Sequence, residues 1–85
     1  MNDSHIEKIR QDFSDSEFDL VVAALETVEL KHVMANSQMN LDNTRSAILH
    51  LSKGNFEDLK AYVEDAKRDF RDVIYWATLE GKNDK

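Results

Sequence analysis

The stretch whose reading decides the fold is Gly54-Asn55-Phe56-Glu57-Asp58-Leu59-Lys60-Ala61-Tyr62-Val63-Glu64-Asp65-Ala66-Lys67-Arg68-Asp69-Phe70-Arg71-Asp72-Val73-Ile74-Tyr75-Trp76-Ala77-Thr78-Leu79. Within it Phe56, Leu59, Val63, Ala66, Phe70, Val73 and Ala77 recur alternately three and four residues apart, which on a helix draws one continuous apolar seam. A seam is stable only when something covers it, and the rest of the chain is the cover at hand. Whether 55–79 is one helix or two is open from spacing alone. The unbroken seam and the Lys60, Glu64, Arg68, Asp72 series at four-residue intervals favour one. Asp69 as an internal N-cap, with Asp72 three residues later, favours a break near Arg68. We expect one helix.

Working outward, Gly54 is expected to end a helix over 40–53, in which Leu41, Thr44, Ile48 and Leu51 repeat at helical spacing with Ala47 beside them. Asn55 follows as an N-cap, so 40–53 and 55–79 form an antiparallel helical hairpin joined by a very short link. Asn40 or Ser37 caps the 40–53 helix, after a polar loop over 35–40. Ser14 and Glu17 read as a capping box opening a helix over 15–34, with Phe18, Val21, Val22, Leu25, Val28 and His32 on its buried side. Leu20 and Leu30 lie off that stripe, so cover on more than one side is expected. Residues 4–13 suit a short helix capped by Asp3 or Ser4, with Ile6, Ile9 and Phe13 on one side; a helix of that length needs docking to persist. The tail 81–85 is expected to be disordered. The fold class is therefore all-α, a single small helical bundle over 1–80.

Composition agrees. The 85 residues contain two glycines, no proline and no cysteine, so disulfides and thiolate metal sites are out of reach. Seventeen acidic against eleven basic residues give a net charge of −6, which argues against binding nucleic acid or anionic membranes. Met1-Asn2-Asp3-Ser4 lacks the basic start and apolar run of a signal peptide, and the longest apolar run, Leu20 to Leu25, is too short to span a bilayer. Cytoplasmic residence is the expectation.

Arg45, Ala47, Ile48, Leu49, Leu51, Gly54, Asn55, Leu59, Ala66, Asp69, Arg71, Asp72, Val73, Trp76 and Ala77 resemble a pattern in short bacterial helical proteins of no assigned activity. In that pattern a helix ends in glycine, a new helix starts, and an Asp-aromatic-Arg-Asp-Val block precedes an Ala-rich end. The resemblance covers the C-terminal half; it implies a bacterial source and a small helical fold, and it brings no catalytic residue.

Glu29-Leu30-Lys31-His32 is a Glu-x-x-His step, half of the metal site that di-iron bundles build twice. Without inward-facing glutamates on companion helices, Glu29 and His32 are better read as a solvated helix edge. His5 is expected to be exposed, and His50 to flank the 41–51 stripe. No nucleophilic triad, phosphate loop or cofactor motif is present, so no catalytic or cofactor-binding residue is assigned. Asp69, Arg71 and Asp72 are read as a structural polar network around Phe70. Val73 to Leu79 is apolar nearly all round; Ile74, Tyr75 and Trp76 point in different directions and form the expected interface.

The leading expectation is a non-enzymatic protein–protein interaction module that binds itself or another protein through helix faces. One alternative is a helical metal- or small-ligand-binding protein acting as a dimer through Glu29 and His32. Another is an acidic decoy of a nucleic-acid-binding protein, against which the interspersed basic residues count.

Overall fold

The computed structural model describes residues 1–83, which form α1 (Asp3–Asp12), α2 (Asp15–Glu26), two 3-10 turns (Leu30–His32 and Met34–Asn36), α3 (Gln38–Ser52) and α4 (Phe56–Asn83). Among the described residues there is no strand, and α3 packs against α4 in an all-α bundle. Helix starts follow side-chain chemistry. Asn2, rather than Asp3 or Ser4, caps α1 by accepting from the His5 amide at 2.9 Å. Ser37 caps α3 by accepting from the Asn40 amide at 3.2 Å, and Asn55 caps α4 by accepting from Asp58 at 2.9 Å. Ser14 stands at the N-cap of α2, but its hydroxyl donates to the Glu17 carboxylate at 3.2 Å instead of accepting from an amide.

The centre of the molecule is α3, not the seam of α4. Eight of its fifteen residues are buried: Leu41, Thr44, Arg45, Ala47, Ile48, Leu49, Leu51 and Ser52. Around it close Ile9 of α1 and Phe13 just past its end, Val21 and Leu25 of α2, Val28 and Val33 of the link, and Leu59, Val63, Ala66 and Val73 of α4. The 4–13 segment is therefore docked, and the Arg10 guanidinium lies 4.6 Å above the Phe18 ring to join α1 to α2.

Two expected boundaries are corrected. The helix expected over 15–34 stops at Glu26, and the cause is Arg45. Its Nε donates to the Leu25 carbonyl at 3.2 Å and its Nη2 to the Val28 carbonyl at 2.8 Å. In a continuing α-helix those two oxygens would accept from the amides of Glu29 and His32. The guanidinium supplies donors instead, joined at the Leu25 carbonyl by the Val28 amide at 3.1 Å, and the chain turns away with Glu29 in extended conformation. Leu20 and Leu30 are consequently exposed rather than covered on a second side.

The second correction is in α4, where Asp69 is extended (φ −157°, ψ 101°). A straight 28-residue helix would be about 42 Å long, yet the longest dimension of the molecule is 34 Å. The Tyr62 and Trp76 ring centroids are 6.3 Å apart across a separation that a straight helix would hold at about 21 Å. Lys53, at the end of α3, pairs with Glu80. The helix thus folds back at Asp69 into an inner arm, 56–68, and an outer arm, 70–83, that returns beside α3. Asp69 caps the outer arm by accepting from the Arg71 amide at 3.1 Å, which is the break near Arg68. Residues 81–83 belong to the helix rather than to a disordered tail; 84 and 85 lie outside the described residues.

Between α3 and α4, Lys53 (φ 50°) and Gly54 (φ 80°) both take left-handed conformations. A Cβ on Gly54 would stand 2.6 Å from the Asp12 carbonyl oxygen, so glycine lets this turn press against the end of α1. Gly54→Ala should therefore destabilise the fold by about 1–3 kcal/mol, read as a lowered denaturation midpoint; an unchanged midpoint would mean that α1 does not rest on this turn. Arg45→Met, which keeps the apolar stem and takes the side-chain donor from the Val28 carbonyl while Leu25 keeps the Val28 amide, should cost about 1–3 kcal/mol. Urea denaturation checks it, and a neutral result would show that water satisfies the Val28 carbonyl.

Candidate functional site

The outer arm of α4 turns Val73 inward and presents its opposite side to solvent. Tyr75 is 61% exposed, Trp76 39% and Leu79 40%. They are related by one, three and four residues, so they form one ridge on the helix surface. Trp76 leans on Tyr62 of the inner arm at an interplanar angle of 58°. Ile74 is half-buried on the opposite shoulder and faces α3. The structure therefore separates the three residues expected as an interface. Tyr75 and Trp76 share the ridge, where Leu79 joins them, and Ile74 belongs to a groove beside it.

That groove, about 310 Å³, runs between α3 and the outer arm and is lined by Asn43, Ser46 and His50 on one side and Ile74, Ala77 and Thr78 on the other. Its alanines and short polar side chains leave room, while Asn43, Ser46 and Thr78 expose hydrogen-bonding groups.

The expected polar network is more local than a brace across the bundle. Arg71 Nε and Nη2 donate to the two Asp69 carboxylate oxygens at 3.0 and 2.9 Å, a bidentate pair within one turn. This contact holds the Asp69 carboxyl below its ordinary range, chiefly through the Arg71 side-chain hydrogen bonds. Asp72 is exposed and adds only its field at Arg71. The pair steadies the bend; it does not reach another helix.

Glu29 and His32 are not on an α-helix. They bracket a 3-10 turn in which the Glu29 amide donates to His32 Nδ1 at 2.9 Å. That leaves one imidazole nitrogen engaged in closing a turn, and among the described residues no group of three or more His, Asp or Glu side chains is placed to hold a metal ion. The helix edge expected at Glu29 and His32 is therefore a 3-10 turn.

His5 was expected to be exposed and is 2% exposed. Its Nε2 lies 3.1 Å from the Asp42 carbonyl oxygen and 2.8 Å from Ser46 Oγ. A carbonyl only accepts, so Nε2 carries the proton and donates. Ser46 is then not activated by this imidazole, because no lone pair on Nε2 is free to take its proton. Nδ1 is buried without a partner among the described residues. The signal for both buried polar residues was spacing. His5 stands four before Ile9 and eight before Phe13, and Arg45 stands four after Leu41 and three before Ile48, each on its helix's inward stripe.

Charge is distributed unevenly, contrary to the interspersed pattern expected. Residues 1–30 hold eight acidic and two basic side chains, whereas 31–85 hold nine of each, so the first thirty residues account for the whole net charge of −6.

Comparisons with protein-family models, with curated proteins and with solved structures give no match to this chain. Among the described residues no helix is long and apolar enough to cross a membrane.

Burial lowers the His5 pKa below its ordinary 6.5; the Asp42 hydrogen bond and charge oppose this, while Arg45 and the amino terminus add to it. The unfolded chain therefore binds the extra proton first. The stabilisation from neutral His5 is complete above about pH 6.5 and is lost as pH falls through the folded value. We expect stability to decline below that point with a slope of at most about 1.4 kcal/mol per pH unit, and His5→Gln to flatten it. Asp69 and Glu80, held low by Arg71 and Lys53, titrate below this window. Denaturation midpoints of the two proteins from about pH 8 to about pH 5 provide the measurement; equal slopes would exclude His5 as the source.

Proposed function

We propose that the protein is a small, acidic, non-enzymatic protein–protein interaction module, and that its contact surface is the outer face of α4, first of all against a second copy of itself. The observation that carries this reading is the Tyr75, Trp76, Leu79 ridge, large apolar surface on a helix whose inward stripe is already used. Its setting supports self-association. The ridge lies in the part of the chain with balanced charge, and Arg71 and Lys53 are paired locally with Asp69 and Glu80. Covering each exposed large side chain contributes about 1.5–3 kcal/mol before the cost of association, and an interface of this size belongs to the weak, transient class. The proton assignment at His5 argues against a hydrolytic role for Ser46, and the closed Glu29–His32 turn argues against the metal-binding alternative.

A second reading has one observation in its favour. The acidic excess concentrated in residues 1–30 suits a decoy for a nucleic-acid-binding protein. A decoy would bind through α1 and α2 and would be indifferent to the ridge.

Sedimentation across a concentration series tests the first reading. The wild type should self-associate weakly, and more strongly at higher salt, because screening reduces repulsion between two copies of charge −6. Tyr75→Glu should weaken association by about tenfold or more with unchanged helical content. A wild type that stays monomeric at its highest soluble concentration sinks self-association.

A further inference from the structure

The bend in α4 rests on one residue: Asp69 alone leaves helical torsions, between two helical arms. The sequence nevertheless runs through the break as one helix. Leu59, Val63, Ala66, Phe70, Val73 and Ala77 keep alternate spacings of four and three residues with no change of phase at 69. Two helices that meet at a turn have no need of a shared phase, because the turn resets the direction of each face. Between Asn55 and Glu80 there is neither proline nor glycine to oppose a continuous helix. Straightening has a definite consequence. The outer arm, about 21 Å of helix, leaves the side of α3 and stands out with Phe70, Val73 and Ala77 uncovered. The buried face of α3 loses the same cover. A second straightened copy meets both deficits at once, since its outer arm carries the surface that already fits α3 within one chain. The aromatic pair agrees with that exchange. Tyr62 and Trp76 stand seven residues to either side of Asp69, with ring centroids 6.3 Å apart across the bend. Two straight α4 helices running antiparallel about a two-fold axis at Asp69 set Tyr62 of each level with Trp76 of the other. The contact made within one chain is re-formed between two.

We propose that α4 is a two-state element through which two copies exchange outer arms: Asp69 becomes helical, α4 straightens, and residues 70–83 of each copy replace those of the other against α3. The exchange does not rest on the exposed ridge, and Tyr75 has no part in it. Asp69 sets the balance in favour of the bent state. Its carboxylate accepts from the Arg71 amide, Nε and Nη2 only while the helix is broken, because residues two apart do not face each other on a straight helix. Tyr62, Asp69 and Trp76 are one heptad apart and share a face of the straight helix. In the exchanged pair the two Asp69 carboxylates therefore meet at the two-fold axis, where like charges repel.

Asp69→Ala removes the cap and the like charge and favours helix at the hinge. By sedimentation it should dimerise more tightly than the wild type by about tenfold for each copy, with helical content preserved by circular dichroism. The Lys53–Glu80 pair, which ties α3 to the outer arm, shows whose arm is in place. The chain has no cysteine, so Lys53→Cys with Glu80→Cys supplies the only two thiols. A short bis-maleimide should bridge them between chains in the Asp69→Ala dimer, giving a covalent dimer on a denaturing gel, and added Tyr75→Glu should change nothing. With Asp69 kept, the same two thiols should be bridged within one chain after refolding at low protein concentration. Refolding at high concentration should bridge them increasingly between chains. A folded Asp69→Ala protein that stays monomeric overturns the exchange. So does a dimer bridged only within chains or dissolved by Tyr75→Glu, which would be the ridge contact and would leave that reading standing. Should Asp69→Ala fail to fold, the refolding series with Asp69 kept decides, and bridges within one chain at every concentration overturn the exchange.

Discussion

The Arg45 guanidinium determines where α2 ends, and the packing of the first half of the chain depends on that ending. A buried cation without a carboxylate at contact distance is costly unless other groups answer it. Here the answer is the carbonyl end of α2, where unsatisfied oxygens and the negative end of the helix dipole coincide. Burial still lowers the Arg45 pKa, and the fields of Asp42 and Glu26 partly restore it. With Leu25 and Val28 satisfied by a side chain, the backbone of 29–36 is free to turn. Val28 and Val33 are buried on the way to Ser37. Three residues before Arg45, the Asp42 carbonyl accepts from His5 and fixes α1. One short stretch of α3 thus holds both N-terminal helices through donors that end on backbone oxygens.

The bend at Asp69 follows from a mismatch of lengths. Fifteen residues make α3 about 22 Å long, whereas α4 unbent would extend about 42 Å. A straight continuation would carry Val73 and Ala77 beyond the end of α3 and leave the second half of the seam in water. Folding back at one extended residue keeps Ala66 and Val73, on opposite sides of the break, fully buried. Asp69 suits that residue because its carboxylate satisfies the amide freed at the start of the outer arm and holds Arg71 in the same contact. The same fold-back makes the ridge, since the outer arm has α3 and the inner arm on its inward side only.

Much of this architecture was legible in the sequence because it rests on local rules. The seam from Leu59 to Val73 is read from spacing, and Asn55 as a cap from its side chain. Gly54 was legible as a left-handed position, although Lys53 takes that conformation first and the closer reason for glycine is the Asp12 carbonyl of a different helix. What spacing could not give is long-range. Nothing near Glu26 announces that α2 stops, because the group that stops it lies nineteen positions further on, in Arg45. Asp69 carried both a continuation signal and a cap signal, and only the length of α3 decides between them. Of the site, Tyr75 and Trp76 were legible as surplus apolar surface. Leu79 was passed over, and Ile74 was separated from them by the position of α3.

A chain this short has a high ratio of surface to core, so some exposed apolar area is unavoidable. Scattered residues such as Leu20 and Met39 need no further explanation. The outer arm differs in how its features coincide. Its large side chains are adjacent on one helix face, and Tyr75 is among the most exposed large hydrophobics described. The seam on the opposite side of that arm is already buried, so the ridge adds little to folding. The acidic excess is carried by residues 1–30, in a different part of the sequence.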